Sequence, residues 1–154
     1  MHDPAKIDKP LIRVIDDDDA MRNSWAFLIE GEGWDVKTYA DAITFLSSND
    51  YIRPGCLLLD VRMPHMSGLE LQLKLREAGC DLPIIFISGH GDIDMAVKTM
   101  KDGADDFLSK PVTPERLLDA IEKAVKRDAR IRTESAALEQ ARAAFRRLSA
   151  REQE

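Results

Sequence analysis

Cysteine is scarce in this chain: only Cys56 and Cys80 occur in 154 residues, and they do not form a C-x-x-C pair. That argues against a disulfide framework and suits reduced thiols in a cytosol. Long apolar runs are also missing. No uninterrupted stretch approaches the ~20 residues that span a bilayer. The start, Met1-His2-Asp3-Pro4, lacks the basic and apolar regions of a signal peptide. A soluble, cytoplasmic protein without membrane contact is the expectation. Basic charge is in deficit, with 22 Lys and Arg against 28 Asp and Glu and a formal net charge of −6. Duplex binding normally needs a basic face, so a nucleic-acid surface on this piece is not expected. What is present, 44% hydrophobic and 32% charged residues, fits one ordinary globular core with a short appendage.

Short apolar or β-branched runs alternate with helix-period segments. The runs are residues 11–15, 36–39, 56–59, 84–87 and 106–108; the segments between and after them are 20–30, 42–47, 69–78, 95–101 and 115–126. Turn formers fall between them at Gly31, Gly33, Pro54-Gly55, Pro64, Gly79, Gly103 and Pro111. Five strands alternating with five helices predict an α/β protein, because parallel strands need helical crossovers that cover both sheet faces. The runs 56–59 and 84–87 are continuously apolar, as central strands are.

Beyond Lys126 the strand signal ends, and residues 127–148 hold neither Pro nor Gly. Leu117, Ala124, Ile131, Leu138 and Phe145 recur at every seventh position, with Ala120, Ala141 and Leu148 on a companion seam that Arg127 and Glu134 interrupt. Two readings stay open here: a paired coiled coil, or a solvated helical linker supported by charge pairs one turn apart. At the end, Ser149 with Glu152 reads as a capping box opening another helix. The expected organisation is a tail over 1–10, a main domain over 11–127, a helical linker over 128–148 and the start of a further domain over 149–154.

The chemistry gathers at strand ends. Asp16, Asp17, Asp18 and Asp19 follow the first strand. Helix capping accounts for Asp18 and Asp19. Adjacent carboxylates at Asp16 and Asp17 repel one another unless a cation compensates, and a hard cation such as Mg²⁺ prefers oxygen ligands. Asp60 closes the third strand after three leucines. In an open parallel sheet, ligands bind beyond the carboxyl ends of the strands where strand order reverses. With the order 2-1-3-4-5, strands one and three are neighbours there, and Asp16, Asp17 and Asp60 share one pocket. Ser88 ends the fourth strand and Lys110 follows the fifth, adding a hydroxyl and an ammonium to the same rim.

The pieces Val14-Ile15-Asp16-Asp17-Asp18, Leu59-Asp60-Val61-Arg62-Met63-Pro64 with Ser67-Gly68, Ile87-Ser88-Gly89-His90-Gly91-Asp92, and Lys110-Pro111 resemble the response-regulator receiver family. The likeness covers about residues 11–127. The Ser-Gly-His-Gly-Asp run and the Leu-Ser-x-Arg-Glu ending are similar to the FixJ-type branch, whose receiver precedes a LuxR-type helix-turn-helix domain. The resemblance implies a (βα)5 doubly wound, flavodoxin-like sheet, truncated here before that DNA-binding domain. It implies that Asp60 takes a phosphoryl group from a sensor histidine kinase. Mg²⁺ would be held directly by Asp17 and Asp60, through water by Asp16, and by the backbone carbonyl of Arg62. Lys110 and Ser88 would contact phosphoryl oxygens, and Phe107 would turn inward as Ser88 moves, although plain core packing explains Phe107 equally. Arg62 and His90 would flank the path of attacking water.

The same resemblance implies a cis Lys110–Pro111 bond. Movement of Ser88 and Phe107 is expected to reshape the face of the fourth helix and fifth strand and to promote a homodimer on phosphorylation. DNA would be bound only through the missing domain. The protein is then a switch that catalyses only its own phosphorylation and dephosphorylation. Ser88 stands where Thr is commoner, keeping the hydroxyl and losing a methyl. Two other readings compete. A phosphohydrolase with an aspartate nucleophile usually carries Asp-x-Asp after its first strand and a cap domain, for which there is no room. A stand-alone phosphorelay module without DNA output is disfavoured by the linker.

Overall fold

The structure, a computed structural model, describes residues 9–89 and 93–152. His90, Gly91 and Asp92 of the quoted motif, and most of the expected tail over 1–10, lie outside the described residues. Five strands alternate with five helices: β1 (Leu11–Ile15), α1 (Asp19–Gly31), β2 (Asp35–Tyr39), α2 (Ala42–Ser48), β3 (Gly55–Asp60), α3 (Gly68–Glu77), β4 (Ile84–Ser88), α4 (Ile93–Lys101), β5 (Asp106–Ser109) and α5 (Pro114–Glu152). All pairings are parallel and the order is β2-β1-β3-β4-β5, as expected.

Successive side chains of a strand point to opposite faces, and β3 shows why the sheet needs helices on both. Cys56 and Leu58 enter a core with Ile12, Trp25, Ile29 and Leu117, beneath α1 and α5. Leu57 and Leu59 enter a second core with Phe45, Leu71, Leu75 and Phe86, beneath α2 and α3. Each fully buried leucine contributes roughly 1.5–3 kcal/mol, so the continuous apolar run is a direct consequence of two-sided burial.

Helix starts follow local chemistry. Asp18, Asp41 and Ser67 each accept a backbone N–H from the first turn of α1, α2 and α3. At α5, Thr113 Oγ1 accepts the Arg116 N–H at 3.2 Å, and Pro114 occupies the first helical position.

Two features depart from expectation. First, α5 is a single 39-residue helix through Glu152, so Ser149 lies inside a helix and does not cap a new one. Pro and Gly are absent from 115–152, and a capping side chain cannot stop a helix whose backbone hydrogen bonds run past it. The seven-residue seam divides along this helix: Leu117 and Ala124 are buried on the sheet, whereas Leu138, Phe145 and Leu148 are exposed. Second, Arg13, inside the first apolar run, is fully buried. Its guanidinium donates to the carbonyls of Leu11 (2.9 Å), Asp50 (2.7 Å) and Arg53 (2.7 Å), tying the α2–β3 loop to β1. Burial lowers its pKa to about 10.

The same loop is held from α5. Buried Asp128 accepts the Gly55 N–H at 3.0 Å and the Arg132 Nε–H at 2.8 Å, while Arg132 also donates to Ile52 O at 3.2 Å. Asp128→Ala leaves the Gly55 N–H buried without an acceptor, and should cost about 2 kcal/mol. Asp128→Asn keeps an acceptor and should lose clearly less. Urea denaturation of both variants checks this; equal losses would show that the acceptor is not what matters.

Candidate functional site

The carboxyl ends of β1, β3, β4 and β5 meet on one rim. Asp16 and Asp17 follow β1, Asp60 ends β3, Ser88 ends β4 and Lys110 follows β5. One carboxylate oxygen from each of Asp16, Asp17 and Asp60 lies within 4.8 Å of the other two. Lys110 Nζ stands 3.8 Å from Asp16 Oδ2 and 4.0 Å from Asp60 Oδ2. The three acids and the lysine singled out from the sequence are therefore brought together, with Ser88 buried at the neighbouring strand end.

Each group is positioned by a distinct backbone device. Asp16 continues the sheet, donating its N–H to Tyr39 O at 3.2 Å, and its Oδ1 accepts the Asp18 N–H at 2.9 Å. Asp60 Oδ1 accepts the Arg62 N–H at 3.3 Å, which turns Oδ2 toward Lys110. Lys110 is fixed by its own N–H, 2.7 Å from Ser88 O, and the Lys110–Pro111 bond is cis, as expected. Gly68 opens α3 against β3 and donates its N–H to Val61 O at 2.9 Å. A Cβ there would lie 2.3 Å from Asp60 O, so only glycine permits this approach.

Electrostatically the rim is short of positive charge. Burial raises the pKa of Asp16, opposed by the Asp18 N–H and Lys110. Burial likewise raises that of Asp60, and the Asp16 charge adds to the rise while Lys110 opposes it. Among the described residues, the one ammonium paired with these carboxylates, that of Lys110, thus does not fully compensate them. A hard divalent cation with oxygen ligands fits this donor set, and three convergent carboxylates are enough for Mg²⁺, which keeps several waters.

Phe107 is half-buried, its ring centroid 6.4 Å from that of Phe86 at a tilt of 35°, within the α2–α3 core. Arg62 is exposed beside Asp60. A groove of about 870 Å³, lined by Leu46, Tyr51, Leu75, Leu82, Ile131 and Arg132 among others, lies at the opposite ends of the strands. It is separate from the acidic rim, where the charged groups converge.

One residue at the rim escaped the sequence reading. Arg22 on α1 donates Nη1 to the carbonyl oxygen of Asp16 at 2.7 Å and pairs with Asp19. The available signal was a basic residue one turn into a helix opened by a run of acids.

Residues 12–122 match the response regulator receiver domain family. The chain is 45% identical over 144 residues to the response regulator protein TmoT of Ectopseudomonas mendocina, covering 94% of this chain and 66% of that protein. It is 42% identical to nodulation protein W of Bradyrhizobium diazoefficiens, covering 94% of this chain and 64% of that one. Among solved structures, response regulator StyR superposes with a TM-score of 0.84 at 42% identity, covering 89% of this chain and 69% of that chain. FixJ-N gives 0.71 at 39% identity, covering 82% and 96%. The chain spans less than two thirds of the length of the curated relatives it matches, from 55% to 66%. With its strand order and its five rim residues in place, the chain belongs to the response regulator receiver domain family.

Proposed function

We propose that Asp60 is the phosphoacceptor of a Mg²⁺-dependent switch loaded by a sensor histidine kinase. The convergence of Asp16, Asp17 and Asp60 beside Lys110 carries this reading. An Asp60 carboxylate oxygen bonds to phosphorus as the bond from phosphorus to the donor imidazole nitrogen breaks, giving an acyl phosphate and free imidazole. Bound Mg²⁺ supplies charge compensation for the transferring group. Asp17 and Asp60 would hold it directly, Asp16 through water, and the Arg62 carbonyl would add a further oxygen. Lys110 offers an ammonium to one phosphoryl oxygen and Ser88 a hydroxyl to another. The chain then acts only on its own phosphoryl group.

Output follows from the switch. As Ser88 is drawn toward the phosphoryl group, Phe107 turns inward and the α4–β5 face changes shape, promoting a homodimer. Exposed Val97 and Met100 on α4 support an apolar contact there. Relatives that include the transcriptional regulatory protein FixJ of Azorhizobium caulinodans, 43% identical over 118 residues, support a DNA-binding output domain beyond this segment. No described helix is long and apolar enough to cross a membrane, which supports a cytoplasmic setting.

Acetyl phosphate with Mg²⁺ should add one phosphoryl group to the intact protein, and chelation should prevent it. Asp17→Ala should weaken Mg²⁺ binding about a hundredfold by calorimetry and suppress labelling at low Mg²⁺, since it removes a charged ligand from a site with few. Unchanged Mg²⁺ affinity in that variant would refute the metal role.

A further inference from the structure

We propose that Arg22 is a positioning residue for the cation site, holding the Asp16–Asp17 peptide so that the Asp17 carboxylate is aimed at the rim before any cation arrives. The inference rests on the Mg²⁺ reading above and extends it to a residue outside the carboxylate set.

The Asp16 carbonyl belongs to the peptide that joins Asp16 to Asp17, so the direction of its oxygen determines how Asp17 leaves the strand. Asp16 is tied at three points. Its N–H donates to Tyr39 O, its Oδ1 accepts the Asp18 N–H, and its carbonyl oxygen accepts from Arg22 Nη1 at 2.7 Å. Asp17 is held differently. It is exposed, and no hydrogen bond from the described residues reaches its carboxylate. Among the described residues the backbone that carries Asp17 is therefore its guide, and Arg22 holds the end of that backbone nearest the sheet.

Two details separate positioning from charge. Arg22 spends its inner nitrogen on a carbonyl rather than on Asp16, Asp17 or Asp60, so the carboxylate oxygens stay available to a cation. Its outer nitrogen pairs with Asp19, whose side chain is 81% exposed while that of Arg22 is 13% exposed. That pairing balances the guanidinium charge, so its repulsion of an incoming cation is small. An ion pair with one partner in solvent contributes modest stability, which leaves the bond to the carbonyl as the contact that bears on Asp17. A charge-assisted hydrogen bond of this length is among the stronger kinds.

The test uses calorimetric Mg²⁺ titration of the wild-type chain, Arg22→Met and Arg22→Lys, with thermal denaturation in chelator alongside. Arg22→Met, which keeps the bulk and removes the donors, should weaken Mg²⁺ binding about tenfold, the scale typical of groups that orient metal ligands. Arg22→Lys, which keeps one charged donor, should recover part of that loss. A merely structural arginine would lower the melting temperature and leave Mg²⁺ affinity unchanged, and that result overturns the proposal. So does tighter binding in Arg22→Met, which would mean that repulsion outweighs positioning. Should Arg22→Met fail to fold, Arg22→Lys decides by the same readout: weaker binding supports the role and unaltered binding removes it. Failure of the wild-type chain to bind Mg²⁺ would instead remove the metal reading itself.

Discussion

Asp60→Asn is expected to take up no phosphoryl group from acetyl phosphate and, without Mg²⁺ at pH 7, to be more stable than the parent chain. The first effect follows from chemistry: an amide keeps the shape of the side chain and loses the nucleophilic oxygen pair. The second follows from linkage. Burial and the neighbouring Asp16 charge raise the Asp60 pKa in the folded protein. A group with a raised folded-state pKa binds more protons folded than unfolded, so stability falls as pH climbs from the ordinary carboxylate value through the raised one. Above the raised value that loss is complete, and Asp60→Asn removes its share of it.

The expected gain is about 1 kcal/mol, typical where a functional site holds uncompensated groups. Added Mg²⁺ should reverse the ranking, because a ligand bound only by the folded state stabilises it in proportion to affinity. Intact-mass measurement and urea denaturation at pH 7, with and without Mg²⁺, read both effects. Equal labelling would move the acceptor elsewhere. A less stable variant would show that Asp60 is not a source of charge strain.

Gly68→Ala should damage fold and site together. The added Cβ would stand 2.3 Å from Asp60 O and 3.1 Å from the Phe86 ring edge. The first neighbour is backbone in the end of a central strand, so it cannot swing away like a flexible side chain. Either α3 or the end of β3 must shift, and β3 is paired on both sides by β1 and β4. Forced overpacking of this kind costs about 3 kcal/mol. The residue displaced is Asp60, the proposed acceptor. Misplacement by about 1 Å can slow a positioned reaction about a hundredfold. Labelling by acetyl phosphate should therefore slow in Gly68→Ala even under conditions where the variant is fully folded by circular dichroism. A variant of unchanged stability and labelling rate would mean that the β3–α3 approach is looser than the geometry indicates.

Much of the fold was legible because its signals are local. The apolar runs 56–59 and 84–87 could be read as central strands, since two-sided burial leaves no room for alternation. Asp18 stands where the start of α1 needs an acceptor. The rim was legible for a related reason: Asp16, Asp60, Ser88 and Lys110 each stand at the end of an apolar run, and a parallel sheet sends all such ends to one side. Less legible was anything that depends on contacts between distant segments. Arg13 reads as an interruption of a strand until the carbonyls of Asp50 and Arg53 arrive to accept its protons. Ser149 reads as a helix start until the helix from Pro114 passes through it.

The sequence alone determined the alternation of strands and helices, the resemblance to receivers, and the residues that make up the acidic rim. These rest on periodicity, capping and residue chemistry, which operate within a few residues along the chain. Only the tertiary structure decided that the three carboxylates fall within one cation's reach, that Lys110 does not fully compensate them, and that Gly68 must lack a side chain. Only it showed Arg22 holding the Asp16 carbonyl and Asp128 anchoring α5 to the α2–β3 loop. Distances and burial across 40 and 73 residues of chain arise from packing, and no local pattern encodes them.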